Sequence, residues 1–519
     1  MAMTETSPAS DQTPAAAAGA PAPAPVDPAG LAGWLSTSDH KRVGRLWIAT
    51  SLVFLLVGGV LGELLGGERL SSGADILKHG TFAQVSTLHS ESAVLLFLVP
   101  FFLGLATYLV PLQIGSPEIA FPRGSATAYW GYVVGGLLLC GSYVADGGIT
   151  GTTSTSVDLT FLSIILLCAA LGLGAVSVVT SALTQRAPGL DLLKTPLFTW
   201  SAIVGGGLLL LELPVLAARA IELFIQHHYG NDIGSYRGIA AFWSLPGTAL
   251  LVVMAAGVLL EVVPTIAGRP LRIHAAGIGV LGAMGILGIG GWVLDPKATD
   301  DILFVGVGLA AVIPALALLG LLGDTARAGS PKLTAPFVLA MASAQLLLAG
   351  AAAGAVEVVE PLKLLGTTWQ AGQVHLTLFG GGTLAAFAAL WFWAPKIWGQ
   401  HLSEKAGLLV ALLVLGGAVL LAVPDLVTGA ADDQPRAAIQ WESSDTVTTS
   451  NAVSLVGGGL GALGAIVALG AVAGAAIRKR GVPAVDDPWG GWTLEWRTTS
   501  PPPPHNFEEI PDVTDKAGA

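Results

Sequence analysis

The sequence predicts an all-α, polytopic membrane protein built as a bundle of twelve transmembrane helices. The 519 residues have a mean hydropathy of +0.71, and only 11% of them are charged, which is the composition of a membrane protein. Twelve apolar runs of spanning length recur along the chain. The net charge of -11 falls mostly between these runs, so it describes the wet surfaces. This composition excludes a sequence-specific nucleic-acid role.

Three parts of the chain differ in composition. Residues 1–32 are rich in Ala, Pro, Ser and Thr and lack a bulky apolar segment, which is typical of a disordered tail. Residues 33–480 hold the twelve spans, and residues 481–519 form a C-terminal tail. The spans are expected near residues 45–66, 83–112, 127–145, 159–184, 196–226, 241–266, 273–294, 300–323, 333–355, 367–395, 405–425 and 450–476.

The charges between the spans predict the orientation of the chain. Basic residues such as Arg186, Lys194 and Lys396 are found in alternate connections, and the intervening connections are richer in Asp and Glu. By the positive-inside rule both termini are then cytoplasmic. The many Gly and Ala residues inside the spans are expected to let helices approach closely.

Two histidines lie well inside predicted spans, where an ionisable side chain is costly and is a functional-site hypothesis by default. They are His89, in STLHSES, and His375, in TTWQAGQVHLTLFGGG. The other seven of the nine histidines fall in polar connections, tails or span ends. A single histidine in a membrane helix is often only a hydrogen-bonded core residue. Cys140 and Cys168 lie in apolar helices and are expected to be inert thiols.

Several strings resemble subunit I of the haem-copper oxidases. TSDHKRVGRLW at 37–47 is similar to the entry of that family's first helix, and YLVPLQIGSPEIAFPR at 108–123 to the loop after its second helix. DPWGGWTLEWRTTSPPPPHNF at 487–507 is similar to the C-terminal segment of the cytochrome c oxidase branch. The resemblance runs from about residue 34 to 512. It implies the twelve-helix fold of subunit I in a prokaryotic plasma membrane, surrounded by lipid.

The resemblance also implies one haem site. His89 and His375 match the two axial ligands of the family's low-spin haem, and two imidazoles on facing helices occupy both axial positions of one iron. Arg436 matches the first of two arginines that pair with haem propionates, while Ala437 replaces the second. Gly67 matches the arginine that bonds the formyl group of haem A, so one haem per chain, B or A, is expected.

The family's oxygen-reducing centre has no matching ligands in this sequence. Its positions are occupied mostly by apolar or small side chains, and Leu, Gly and Ala cannot bind copper or relay a proton. The matching residues are Leu245, Pro246, Gly247, Thr248 and Ala249; Trp292, Val293, Leu294 and Asp295; Gln373 for the high-spin haem ligand; Leu318; and Leu365 with Gly366. No copper is therefore expected.

The fate of the second haem position is also predicted. Leu245, Leu294 and Gln373 are expected to close it by collapse, because voids lower stability in proportion to their volume. The alternative is an opening that admits lipid or quinone.

Three functions follow from these observations. The first is a membrane haemoprotein with one bis-histidine low-spin haem, serving respiratory electron transfer without its own oxygen-reducing centre. Its partners would be subunits like II and III and a cytochrome c-like or quinol-linked donor. The second is the catalytic subunit I of an aa3-type cytochrome c oxidase, and the third is a haem-bound structural or assembly subunit. Whether the chain is an enzyme stays open, and no catalytic residue is assigned.

Three carboxylates have their own expectations. Glu91 and Glu212 are expected to be intramembrane and therefore to need partners, either as proton sites or as hydrogen-bonded groups. Glu118 stands at the mouth of the family's proton channel and is expected to lie on the cytoplasmic surface.

Overall fold

The computed structural model describes residues 30–71, 76–77, 79–148, 150–230, 246–290, 302–431 and 444–514. The chain divides into a short N-terminal unit, Met1–Thr37, and a large unit, Ser38–Ala519. The described residues of the first unit form one short helix, α1. Residues 1–29 of the predicted N-terminal tail lie outside the described residues.

The large unit consists of helices that correspond one by one to the twelve predicted spans. Three spans are each made of two consecutive helices. Within the described ranges, nine helical stretches are long and apolar enough to cross a membrane on their own. The helices are α1, Gly30–Leu35; α2, His40–Glu68; α3, His79–Glu91; α4, Val99–Gln113; α5, Pro122–Val144; α6, Ser154–Thr184; α7, Leu197–His228; α8, Pro246–Ala267; α9, His274–Gly290; α10, Ile302–Ala310; α11, Val312–Ala328; α12, Ala335–Glu357; α13, Thr368–Val374; α14, Thr383–Trp398; α15, Glu404–Ala431; and α16, Asp445–Ala476.

Glycines bring neighbouring helices into close contact, as the sequence predicts. Where α2 crosses α4, a Cβ atom added to Gly104 would lie 2.3 Å from the Cβ atom of Trp47. Where α15 crosses α16, a Cβ atom on Gly457 would lie 2.4 Å from the backbone nitrogen of Leu421. Real side chains do not approach so closely, so these crossings require glycine. Close approach of this kind is a main source of packing energy between helices in a membrane.

Two spans contain a π-helical segment, and they are the two that carry the intramembrane histidines. In one, Ser92–Leu98 joins α3 to α4; in the other, His375–Gly382 joins α13 to α14. A π-helical turn holds more residues than an α-helical one and often occurs at functional sites. It changes which side chains face the bundle interior, so the face of each span cannot be read from a constant helical period.

The C-terminal segment packs against the end of the bundle that is predicted to be cytoplasmic. Asn506 is fully buried and donates through Nδ2 to the backbone oxygen of Ser116 at 2.8 Å. Glu495 is also fully buried and accepts from Gln113 Nε2 at 3.0 Å, and burial raises the pKa of this carboxyl group. A two-stranded ladder pairs β1 with β2 antiparallel. The two strands are Gln400–His401 and Val482–Pro483.

Candidate haem site

His89 lies near the end of α3 and points toward α2. Its Nδ1 atom is 2.9 Å from the backbone oxygen of Gly58. One turn further along α2, a Cβ atom added to Gly62 would lie only 2.9 Å from His89 Cε1. Two glycines on one face of α2 therefore supply the hydrogen-bond acceptor and the space for this imidazole. With the Nδ1 proton donated to Gly58, the Nε2 atom keeps its lone pair for a metal.

His375 is the first residue of the second π-helical segment and faces α15. Its Nδ1 atom lies 3.4 Å from Asp425 Oδ2. Asp425 is 1% exposed and also pairs with Arg69, whose Nη1 atom is 3.1 Å from Asp425 Oδ1. An acceptor facing Nδ1 again leaves Nε2 as the lone-pair nitrogen. The two histidines therefore have the same arrangement but different acceptors, a backbone carbonyl for His89 and a carboxylate for His375.

The structure brings His89 and His375 together at similar depth. His89 is the tenth residue of the span Gly80–Gln113, and His375 is the eighth of Thr368–Trp398. At about 1.5 Å per residue, each lies roughly 12–15 Å from the start of its span. The two spans are separated by seven others, so they cross the membrane in the same direction. The two spans are neighbours, because a Cβ atom added to Gly382 of one would lie 3.4 Å from Leu98 Cδ1 of the other.

The surroundings of both imidazoles fit a large planar group between them. In each of the two spans, 94% of the most apolar window is buried, so both spans are interior. His375 nevertheless has 24% of its side chain exposed, and His89 is only partly buried. Neither ring is therefore fully enclosed by protein atoms. Together with the lone pairs on Nε2, this geometry fits axial ligation of one haem iron.

Four other described histidines have polar partners away from this pair. His227 and His228 place their Nδ1 atoms 2.7 Å and 2.8 Å from the two carboxylate oxygens of Asp158. His274 Nε2 lies 3.1 Å from the backbone oxygen of Thr195. His40 lies at the end of a span, but it is not exposed to solvent. His40 begins α2 and is 2% exposed, because Asn506 of the C-terminal segment covers it.

The described part of the second haem position contains open space, while the expected closure by Leu245 and Leu294 stays a prediction. A cavity of about 170 Å³ is lined by Thr248, Ala249, Gly308, Gly354 and Gln373, among others. Several of the lining residues, including Ala249, Gly308 and Gly354, have small side chains that fill little space. Leu245 and Leu294 lie outside the described residues, as do Trp292, Val293 and Asp295.

Gln373 is turned away from the paired histidines. Its Nε2 atom donates to Thr377 Oγ1 at 3.2 Å, one turn along the same span. Leu365 packs beside Phe304 and Val358, and Leu318 is 1% exposed within the main core. Leu318 and Leu365 are therefore packing residues in this structure.

The remaining predicted residues divide into three groups. Arg436 and Ala437 lie outside the described residues, so their predicted relation to haem propionates stays a prediction. Glu91 and Glu212 are fully buried, as predicted. Tyr143 is the described neighbour that interacts with the carboxylate of Glu91. Glu118 is exposed.

Sequence reasoning missed Asp425 and Arg69. The signal for Asp425 was present, because it is a carboxylate inside the apolar run LLAVPDLVTG. The predicted span ended at residue 425, whereas α15 continues through Pro424 to Ala431. Arg69 follows the last residue of α2, and its partner is 356 residues away in the sequence. No local pattern could have paired them.

The fold and the paired histidines define the class of this protein, a multi-pass, all-helical membrane protein with an intramembrane imidazole pair. The sequence model of the family described as Cytochrome C and Quinol oxidase polypeptide I matches residues 42–460. The chain therefore belongs to this family of respiratory haem-copper oxidase subunits, which confirms the resemblance. Membership implies a haem cofactor.

Relatives and solved structures agree with this assignment. The chain is 30% identical to "Cytochrome c oxidase subunit 1" of Corynebacterium diphtheriae, over 92% of this chain and 90% of the relative. It is 29% identical to "Putative cytochrome c oxidase subunit 1-beta" of Streptomyces avermitilis, over 94% and 91%. A cryo-EM structure of a heme-copper terminal oxidase dimer matches with a TM-score of 0.69 at 17% identity, covering 84% of each chain. This last likeness concerns the fold.

Proposed function

We propose that this chain is a membrane haemoprotein that binds one six-coordinate, low-spin haem through His89 and His375. It passes single electrons within a respiratory complex and does not itself reduce oxygen. The observation that carries the proposal is the pair of imidazoles at one depth, each with its Nδ1 atom facing an acceptor. When bound, such a haem takes up and releases one electron at a time.

The residues of this chain have distinct tasks in the proposal. His89 and His375 would both hold the haem iron through their Nε2 atoms, and the iron would then have no free position for oxygen. Gly58 and Asp425 fix the rotation of the two rings. Arg436 is proposed to pair with a haem propionate. The haem is B or A, one per chain, and no copper is bound.

The residues at the family's second centre support the absence of oxygen reduction. Ala249 and Gln373 line the cavity there, and neither is a copper ligand or a base that could replace imidazole. The positions of the histidines also support the absence of oxygen reduction. Apart from His89 and His375, the sequence has seven histidines, and six of them lie away from this cavity or in tails. His79 begins α3, on a different span.

Partners and orientation complete the proposal. Electrons are proposed to come from a cytochrome c-like or quinol-linked donor, and subunits like II and III are proposed to surround the chain. The relative in Aeropyrum pernix is named "Heme-copper oxidase subunit I+III", which supports a multi-subunit setting. We place the chain in a prokaryotic plasma membrane with both termini cytoplasmic, from the alternation of basic and acidic connections.

Family membership favours a second candidate, the catalytic subunit I of an aa3-type cytochrome c oxidase. The relatives are named as cytochrome c oxidase subunit 1 or 1-beta, and this chain covers about 90% of their length. This candidate requires copper and an open haem iron. A third candidate, a haem-bound structural or assembly subunit, requires a haem that does not exchange electrons with a donor.

The deciding experiment is the absorbance spectrum of the purified, dithionite-reduced protein before and after carbon monoxide, with haem and copper counted per chain. We expect one haem, no copper and no shift with carbon monoxide, because both axial positions are filled. Copper together with a carbon monoxide shift would contradict the proposal and favour the catalytic candidate. Reduction of the haem by a donor such as a soluble cytochrome c or a quinol would separate electron transfer from the structural candidate.

A further inference from the structure

Asp425 is an unusual residue for its position. It lies within α15, directly after Pro424, and its side chain is 1% exposed. A buried carboxylate in a membrane helix is destabilising unless it is paired. Its backbone is also held, because Asp425 O accepts from Thr368 Oγ1 at 2.9 Å. The side chain is therefore fixed in place at the depth of His375.

The two oxygens of this carboxylate have different neighbours. Oδ1 receives a hydrogen bond from Arg69 Nη1 at 3.1 Å. Oδ2 lies 3.4 Å from His375 Nδ1, slightly beyond an aligned hydrogen bond. Among the described residues, neither Oδ2 nor His375 Nδ1 has any other hydrogen-bonding partner, and both atoms are buried. A small rotation of the imidazole would satisfy both.

Arg69 is itself positioned from a second direction. Its backbone oxygen accepts from Asn451 Nδ2 of α16 at 2.8 Å, and its side chain is 21% exposed. The guanidinium charge allows Asp425 to stay ionised inside the bundle. Asn451 of α16 therefore holds Arg69, and Arg69 in turn pairs with the carboxylate of α15 that lies beside a proposed haem ligand.

The two proposed ligands differ in what accepts their Nδ1 protons. Gly58 offers His89 a neutral carbonyl at 2.9 Å, whereas Asp425 offers His375 a negative charge. A carboxylate behind a metal-bound histidine fixes its orientation and makes it a stronger donor to the metal. A stronger donor favours the more positively charged, oxidised iron.

We propose that Asp425, supported by Arg69, is a positioning residue that orients His375 and lowers the reduction potential of the haem. This inference rests on the proposed function, because it needs His375 to be a haem ligand. The pair would then determine which electron donors can reduce the haem. In this respect the His375 side of the site controls the haem potential more strongly than the His89 side.

The test is a redox titration of Asp425→Asn in the full-length protein, followed optically and by electron paramagnetic resonance of the oxidised haem. We expect the ratio of affinities for oxidised and reduced haem to fall at least tenfold, which raises the one-electron potential by about 59 mV. Haem content should stay near wild type, and the resonance signal should change while remaining low-spin. Asp425→Glu keeps the charge and should stay within twofold of wild type, about 18 mV.

The control is Glu404→Gln, the same loss of charge at the first residue of the same helix, about 31 Å away along α15. It should leave both readouts unchanged. An Asp425→Asn potential equal to that of Glu404→Gln, with normal haem content, would overturn the inference. If Asp425→Asn loses its haem, the Asp425→Glu variant provides the test. An Asp425→Glu protein that holds haem with the wild-type potential supports the inference, and one that holds no haem or has a changed potential overturns it.

Failure of this inference can be told apart from failure of the proposed function. A wild-type protein with one low-spin haem and an Asp425→Asn variant of unchanged potential would remove only the role of Asp425. A wild-type protein with copper and a haem that binds carbon monoxide would remove the proposed function, whatever the titration shows.

Discussion

Two adjacent regions of the bundle lie on either side of the span Thr368–Trp398, and the residues that line them differ in chemistry. On one side, His375 and His89 lie together and are backed by Gly58, Asp425 and Arg69. On the other side, Gln373 and small residues border a cavity of about 170 Å³. Gln373 and His375, only two positions apart in the same span, border the two different regions. The comparison teaches that one helix can present hydrogen-bonded polar groups on one side and border a cavity lined largely by small and apolar residues on the other.

The largest effect is expected from removing an iron ligand. His375→Ala or His89→Ala should each abolish the haem spectrum, because one imidazole leaves the iron with an open position and a weaker hold. His401→Ala, on β1 at the other end of the bundle, is the matched control and should keep the full haem content. Pyridine haemochrome analysis of the purified variants gives the count.

Misfolding of these variants can be separated from loss of a ligand. His375→Gly leaves room for free imidazole, and added imidazole should restore the haem spectrum if only the ligand is missing. A His375→Ala protein with an unchanged haem spectrum would contradict the comparison, since the proposed haem site would then not depend on this histidine.

A smaller effect is expected at the glycine that makes room for His89. Gly62→Ala places a Cβ atom 2.9 Å from His89 Cε1, so the ring must move away from its acceptor. We expect a loss of about 1–3 kcal/mol in stability and a lower haem content. Gly59→Ala, on the same helix, has nothing within 4 Å of its new Cβ atom and should be neutral or stabilising.

Thermal unfolding and haem content measured on this pair would sharpen the role of α2. Equal effects of the two substitutions would mean that Gly62 matters through helix propensity alone and not through contact with His89.

The smallest effect is expected on the cavity side. Ala351 lines the cavity, and Ala351→Leu would fill part of it. At about 24 cal/mol per Å³, filling roughly 40 Å³ returns about 1 kcal/mol, or about 2 °C in the unfolding midpoint. Haem content and potential should not change. A loss of haem or of electron transfer would show that the cavity side takes part in function and would end the contrast between the two regions.

The sequence predicted much of this molecule because membrane constraints are local. A span must be apolar over about 20 residues, so each of the twelve spans left its own signal in the sequence. His89 and His375 stood out for the same reason, since an imidazole inside an apolar run is rare. Asp425 carried an equal signal but was taken as the end of a span. The π-helical segments that begin at Ser92 and His375 left no signal in the sequence, because sequence patterns are interpreted with a constant helical period.

By itself, the sequence determined the fold class, the number of spans and the histidines available for iron, because hydrophobicity and residue chemistry are properties of each segment alone. Only the tertiary structure decided which group stands behind each imidazole and whether the neighbouring space closes. The Arg69 to Asp425 pair joins residues 356 positions apart, and the cavity depends on how several helices are held by their packing. Such contacts arise from the relative placement of helices, which no single segment encodes.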